Sequence, residues 1–157
     1  MIYIGIDPGA KGGYAIIATS ETGQLVKAYP WDDTFFVVEM SAIAAMKTNV
    51  VAAVEKVGAM PGNGSVSMFN FGKSFGFILG VLAALGIPYQ LVPPRKWKAE
   101  FSLTNDKGKS IEACKRLFPD LDLRRTDRCR TDSDGLAEST LLACYAMRHF
   151  GNGEVRK

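Results

Sequence analysis

Four carboxylates stand where this sequence can do chemistry. Asp7 closes the apolar run IYIGI and Glu55 closes NVVAAV, so each sits at the end of a segment that reads as a buried strand. A carboxylate in that position costs free energy unless it is paired or coordinates a cation. If the two strands are parallel neighbours, their C-terminal ends lie side by side, at the edge where open α/β sheets place their sites. Asp134 and Glu138 are four residues apart, one above the other on a single helix face, with Asp132 just ahead of them. Carboxylates gathered in this way repel one another and raise each other's pKa unless a divalent cation compensates. Oxygen ligands favour Mg2+, with Mn2+ as a substitute. Two such ions about 3.5 to 4 Å apart clamp a scissile phosphate, so phosphodiester hydrolysis is the chemistry this charge pattern fits. The single histidine, His149, falls about three turns beyond Glu138 on the same helix, which argues against a histidine triad or a zinc site.

Each acid also has a plainer reading. Asp7 before Pro-Gly can simply open a turn, Glu55 can start a surface loop, and Asp134 with Glu138 can be first-turn acids favoured by the helix dipole. Asp132 serves either as a further ligand or as a helix cap. It is the coincidence of all of them at the proper element ends that points to a metal site.

The elements that must position these groups read as follows. Residues 2 to 7 form a strand stopped by Asp-Pro-Gly, and YAIIAT and QLVKAY, joined through 20 to 23, continue it as an antiparallel meander. Apolar spacing predicts a helix over 33–47, and a strand buried on both faces then delivers Glu55. Ser65 is the expected cap of a long helix running to Leu85 and ended by Gly86, followed by the strand IPYQLV, which stops at two prolines. A helix capped by Thr104 or Asn105 runs to Phe118, and the last helix spans about 132 to 149. Three meander strands, followed by strands connected through helices, make an α/β fold: a five-stranded mixed sheet with helices on both faces.

Composition sets the boundaries. The 157 residues are 47% hydrophobic and 22% charged, as expected for one globular domain over 1–157, and not for a disordered chain or a coiled coil. The uncharged segment 74–94 is interrupted by Gly76, Gly80, Gly86 and Pro88, and its strongly apolar part reads as too short to span a membrane. The N-terminus has no basic flank ahead of its apolar residues, so a cytoplasmic protein is expected. Cys114, Cys129 and Cys144 lack a CxxC pair and read as small buried hydrophobes. Residues 1–90 carry 5 basic and 6 acidic side chains, and 91–157 carry 14 and 10, including all eight arginines. A local basic excess is what a phosphate-backbone binder needs, although a solvated face gives the same count.

Several residues could touch nucleic acid. The glycine-rich stretch VGAMPGNGSVSMFNFGKSFGF, with Lys73, suits a flap that stacks on an exposed base; Phe71, Phe75 and Phe77 fall partly at core spacing, which leaves Phe69 to face outward. Arg95, Lys96 and Lys98 alternate with Trp97 beside the expected acidic edge, where they can hold phosphates or form a solvated turn. LRRTDRCR can clamp a duplex arm or be disordered when unbound.

The segments GIDPGAKGGYA, VEKVGAMPGNG and DGLAESTLLACYA, in that order, resemble the RuvC-type Holliday junction resolvases, most nearly in the wording of their phage relatives. The resemblance covers nearly the whole chain, including FGKSFGFILGVLAALGIPYQLVPPRKWK and Lys107 and Lys109. It implies a ribonuclease H-like fold and a Mg2+-dependent endonuclease that resolves branched DNA by symmetric cuts. Its metal ligands would be Asp7, Glu55, Asp134 and Glu138. The family's last acidic pair is two aspartates three apart, whereas here the spacing is four and the second is Glu138, so Asp132 stays a rival ligand. Lys98 and Lys109 resemble the lysines beside the scissile phosphate, and Phe69 the junction-facing aromatic. A two-fold substrate calls for a homodimer, with Gly76, Gly80 and Ala84 of the long helix either as a close-approach face or as packing on the sheet. No membrane and no nucleotide cofactor are expected. Three rivals are a RuvX-type pre-ribosomal RNA nuclease, a fragment of a sugar-kinase or actin-like ATPase, and a junction-binding module that cuts nothing.

Overall fold

The computed structural model describes residues 1–46, 48–58, 64–103 and 107–151. Strands β1 (Ile2–Asp7), β2 (Gly13–Ser20) and β3 (Gly23–Pro30) form the meander, followed by helix α1 (Asp33–Ala45), strand β4 (Val50–Glu55), helix α2 (Ser65–Ala84) and strand β5 (Tyr89–Val92). Helices α3 (Pro94–Glu100), α4 (Lys107–Leu117) and α5 (Asp134–His149) complete the chain. The sheet order is β3-β2-β1-β4-β5, with the meander antiparallel and β1, β4 and β5 mutually parallel. The chain therefore adds strands on one side of β1 and then on the other, and β1 and β4 flank the switch point, where an open α/β sheet leaves a crevice at its C-terminal edge.

Alternation along the strands builds two cores. Tyr3 of β1 joins Val51 and Ala53 of β4 and the apolar faces of α3, α4 and α5, whereas Ile2, Ile4 and Ile6 pack with Phe36, Met40, Ile78 and Leu82 of α1 and α2. The expected five-stranded mixed sheet with helices on both faces is what the structure shows. Helix α5 is pressed onto β1 at Gly5, where an added Cβ would lie 2.0 Å from the Ser139 carbonyl oxygen and 2.1 Å from the Ala143 nitrogen. That contact, possible only without a side chain, brings the first turns of α5 to the end of β1.

Several boundaries differ from the sequence reading. Gly64, not Ser65, is the N-cap of α2. Residues 94–100 form a short helix that the sequence reading left unassigned, with Pro94 in the first turn, where its missing N–H costs nothing. Ser133 caps α5 by accepting from the Leu136 N–H, and Asp132 instead pairs with Lys115. The proposed Thr104 or Asn105 cap, and part of the glycine-rich stretch, lie outside the described residues. Cys129 is half-buried, unlike the buried Cys114 and Cys144.

The apolar segment also starts earlier than expected. The 20 residues of α2 are, by length and composition, long and apolar enough to cross a membrane. Here Ile78 and Leu82 pack against the sheet while the rest of the helix is half-buried or exposed.

Candidate active site

The parallel pairing of β1 with β4, in which Ile6 faces Val54, sets Asp7 and Glu55 on neighbouring strand ends. Both are buried, with 9% and 8% of their surface exposed. Asp7 Oδ1 accepts the Gly9 N–H at 2.9 Å, and its own carbonyl accepts the Trp31 indole N–H at 3.0 Å. Glu55 Oε1 accepts the Trp97 indole N–H at 3.1 Å. Glu138 on α5 receives two donors on Oε1, Lys98 Nζ at 2.9 Å and Ser110 Oγ at 3.1 Å. Asp134, one turn earlier and half-buried, lies within electrostatic reach of Asp7.

Electrostatics bind these groups into one site. Burial pushes the Asp7 carboxyl up to about 6; the Gly9 N–H and Lys98 oppose the shift, while Glu138 and Asp134 add to it. Burial likewise pushes Glu55 up to about 7, with further rises from Asp7 and Glu138 and opposition from the Trp97 hydrogen bond and Lys98. Asp7, Asp134 and Glu138 thus each make a neighbouring acid harder to ionise, as expected of like charges sharing a desolvated edge. Lys98 is a cation that faces this cluster.

The donor set fits a hard divalent ion: its groups are oxygens and their mutual repulsion calls for positive charge. Among the described residues, however, no three acidic, histidine or cysteine side chains form a ready ion cage. Trp97 engages Glu55, and Lys98 with Ser110 engages Glu138. An ion would compete with the Lys98 ammonium for Glu138.

The other sequence-derived positions divide clearly. Lys98 is at the acids, but Lys109 is not brought to them: its ammonium lies 3.3 Å from Glu112 on the exposed side of α4, and Ser110, its neighbour, is the residue that reaches Glu138. Arg95 and Lys96 are exposed on α3, beside the buried Trp97. Phe69, 72% exposed, and Lys73 share the outer face of α2 one turn apart. Phe71 and Phe75 are half-buried and stack on each other; Phe75 and Phe77 also pack against the core formed with α1, and Phe71 does not. A cavity of about 770 Å³ separates Phe71 and Phe77 from Trp31 and the turn after Asp7. His149 sits at the far end of α5 with Glu100, away from the acids as expected. Of the arginine loop, Arg124 pairs with Asp122 and Arg125 donates to backbone carbonyls, so part of it is used internally.

Sequence reasoning missed the contacts made by Trp31, Trp97 and Ser110. Trp97 carried a usable signal, since a bulky indole among basic residues next to a strand end must bury its ring and find an acceptor for its N–H. Ser110 carried none.

No family model matches the chain. A curated relative, the chloroplastic Holliday junction resolvase MOC1 of Chlamydomonas reinhardtii, is 29% identical over 96 residues, 60% of this chain and 10% of that protein. The chain therefore spans about a tenth of the relative's length. Among solved structures, RuvC of Thermus thermophilus superposes with a TM-score of 0.54 at 16% identity, covering 94% of this chain and 96% of that one. The chain has the fold of a RuvC-type resolvase. Its RuvC-type fold also matches the T. thermophilus RuvC complex with a Holliday junction substrate, at a TM-score of 0.56 and 16% identity over 94% of this chain and 96% of that one. The yeast mitochondrial Holliday junction resolvase Ydc2 matches at 0.51 and 16% identity, covering 92% of this chain and 77% of that one.

Proposed function

We propose that this chain is a single-domain, Mg2+-dependent endonuclease that resolves four-way DNA junctions and related branched DNA. The observation that supports the reading is that Asp7 and Glu55 end neighbouring parallel strands of a RuvC-type sheet, within electrostatic reach of Glu138, with Asp134 also in reach of Asp7. The names of the relatives support the substrate class.

Asp7, Glu55, Asp134 and Glu138 would hold the ion, or Mn2+ in its place. When bound, the ion activates water and stabilises the charge that develops on the phosphate. The protein's own groups do the rest. Burial of Asp7 and Glu55 keeps bulk water from screening the site. The Gly9 N–H and the Trp97 indole N–H fix one oxygen of each acid, which orients the remaining lone pairs. Lys98, released from Glu138, supplies a mobile positive charge for the phosphate, while the exposed Arg95 and Lys96 extend that charge along the backbone. Phe69 offers a ring to an unstacked base at the branch point.

Symmetric cuts in a two-fold substrate are most simply made by two copies of the chain. The exposed small residues Gly76, Gly80 and Ala84 on α2 would let a second copy approach closely. The reading is tested by offering the protein a labelled four-way junction, a linear duplex of the same sequence and a structured RNA, with Mg2+ or EDTA. Metal-dependent cutting confined to the junction supports it. RNA cleavage with the junction intact would move the assignment to a RuvX-type nuclease.

A further inference from the structure

The sequence of LRRTDRCR, residues 123–130, reads as a duplex clamp or as a segment disordered when unbound, but one of its arginines is turned inward. Arg125 Nη1 donates to two successive carbonyls, that of Lys11 at 2.6 Å and that of Gly12 at 3.0 Å. These residues form the turn directly behind Asp7, in which Lys11 is exposed and Gly12 is tightly packed. A Cβ on Gly12 would lie 2.2 Å from the Asp7 carbonyl oxygen and 2.7 Å from Asp7 Cγ, so Gly12 is the wall against which the carboxylate rests. A Cβ on Gly135, in the first turn of α5, would lie 2.1 Å from the Lys11 carbonyl oxygen and 2.8 Å from Gly12 Cα. The turn is thus held between Asp7 and the start of α5, and Arg125 closes it from outside through the same two carbonyls.

The arginine can serve as a fixed point because its own loop is anchored. Leu123 is fully buried, its carbonyl accepts the Ser133 N–H at 2.8 Å, and the Cys129 N–H bonds the Thr126 carbonyl at 2.9 Å. Ser133 is also the cap of α5. One loop therefore ties the helix that carries Asp134 and Glu138 to the turn that backs Asp7.

We propose that Arg125 is a positioning residue: it fixes the Asp7 turn, and through it the Asp7 carboxylate, in register with the acids of α5. The inference rests on the nuclease reading above for its consequence in catalysis, but not for its structural claim. Misplacing a reacting group by about 1 Å costs up to ~100-fold in rate even when substrate still binds. The alternative role for a cationic side chain near the site is a phosphate contact, which would weaken binding and lower the salt slope by about one unit.

The experiment compares wild type, Arg125→Ala and Arg125→Lys in three measurements. Single-turnover cleavage of a saturating four-way junction is expected to fall ~10- to 100-fold in Arg125→Ala and to recover in part in Arg125→Lys, whose single ammonium can still reach a carbonyl. Junction affinity, measured in EDTA at several salt concentrations, is expected to stay unchanged with the same salt slope. Amide hydrogen exchange at Gly9 and Gly12, whose N–H groups bond Asp7 Oδ1 and the Gly9 carbonyl, is expected to speed up ~10-fold in Arg125→Ala while Ile4 and Ile6 of β1 stay protected. Unchanged exchange at Gly9 and Gly12 would overturn the proposal, as would weakened binding with an unchanged single-turnover rate. If the wild type cuts no junction, the nuclease reading fails, and the exchange measurement still decides what Arg125 does.

Discussion

Replacing Asp7 with asparagine should make the metal-free protein more stable while abolishing its activity, and the size of the gain follows from the site. Folding takes the Asp7 carboxyl from an ordinary 3.8 to about 6, chiefly through burial. An acid with a raised folded pKa stabilises the fold below its unfolded value and loses that contribution as pH climbs through the folded value. At pH 8 the native state therefore carries the whole cost of an ionised, desolvated Asp7, about 3 kcal/mol at one pH unit per 1.36 kcal/mol. Asparagine keeps an oxygen for the Gly9 N–H and removes the charge. In EDTA at pH 8, Asp7→Asn should melt above the wild type by roughly 6 to 12 °C, at about 2 to 4 °C per kcal/mol for a chain of this size. The gap should have largely closed by about pH 4, where the folded acid is protonated and the unfolded one is about half so. Saturating Mg2+ should shrink it at pH 8 by stabilising only the wild type. Thermal melts followed by circular dichroism at pH 4 and 8, with and without Mg2+, make the comparison. A mutant equal to or less stable than the wild type at pH 8, or a gap that persists unchanged at pH 4, would refute the electrostatic account of this edge.

Three further outcomes follow. Trp97→Phe removes the donor to a buried Glu55 and should destabilise by about 1 to 3 kcal/mol, read by urea unfolding, with the Glu55 carboxyl driven further up when followed by NMR titration. Lys98→Met removes the cation that opposes the rise of both Asp7 and Glu55, so the acidic limb of the cleavage-rate profile should move to higher pH and the rate at neutral pH should drop ~10-fold or more. Gly5→Ala forces α5 off β1 and should cost about 1 to 3 kcal/mol by overpacking; because it displaces Asp134 and Glu138 from Asp7, single-turnover cleavage should fall as well, in a variant that still folds.

What was legible in the sequence was what one-dimensional periodicity encodes. Asp7 and Glu55 stood out only together, each at the end of an apolar strand and each with a plain reading of its own, and the parallel pairing of those strands, a condition in the sequence reading, is what the structure supplies. The Asp134 and Glu138 pair stood out by helical spacing. What escaped was set by side-chain reach across the fold. The cap of α5 fell to Ser133 because Asp132, one residue earlier, finds Lys115 on α4. Lys109 and Ser110 are adjacent in sequence, yet consecutive residues of a helix point about 100° apart. Only Ser110 therefore faces the site, and the lysine bonds within its own helix. Helix α3 was overlooked because seven residues between two prolines and a phenylalanine show little period, although Pro94 is a good helix opener. The arginine loop reads as a duplex clamp or a disordered segment because nothing in the sequence shows two carbonyls awaiting a donor.

The most direct test of the central claim is strand-resolved mapping of the products from a four-way junction labelled in turn on each strand, with Mg2+, with EDTA and with Asp7→Asn. The account predicts paired nicks at symmetric positions on opposite strands, present only with the ion and the intact carboxylate. Tight junction binding without a nick in any divalent metal would contradict it, and would leave a RuvC-type fold that recognises branched DNA and does not cut it.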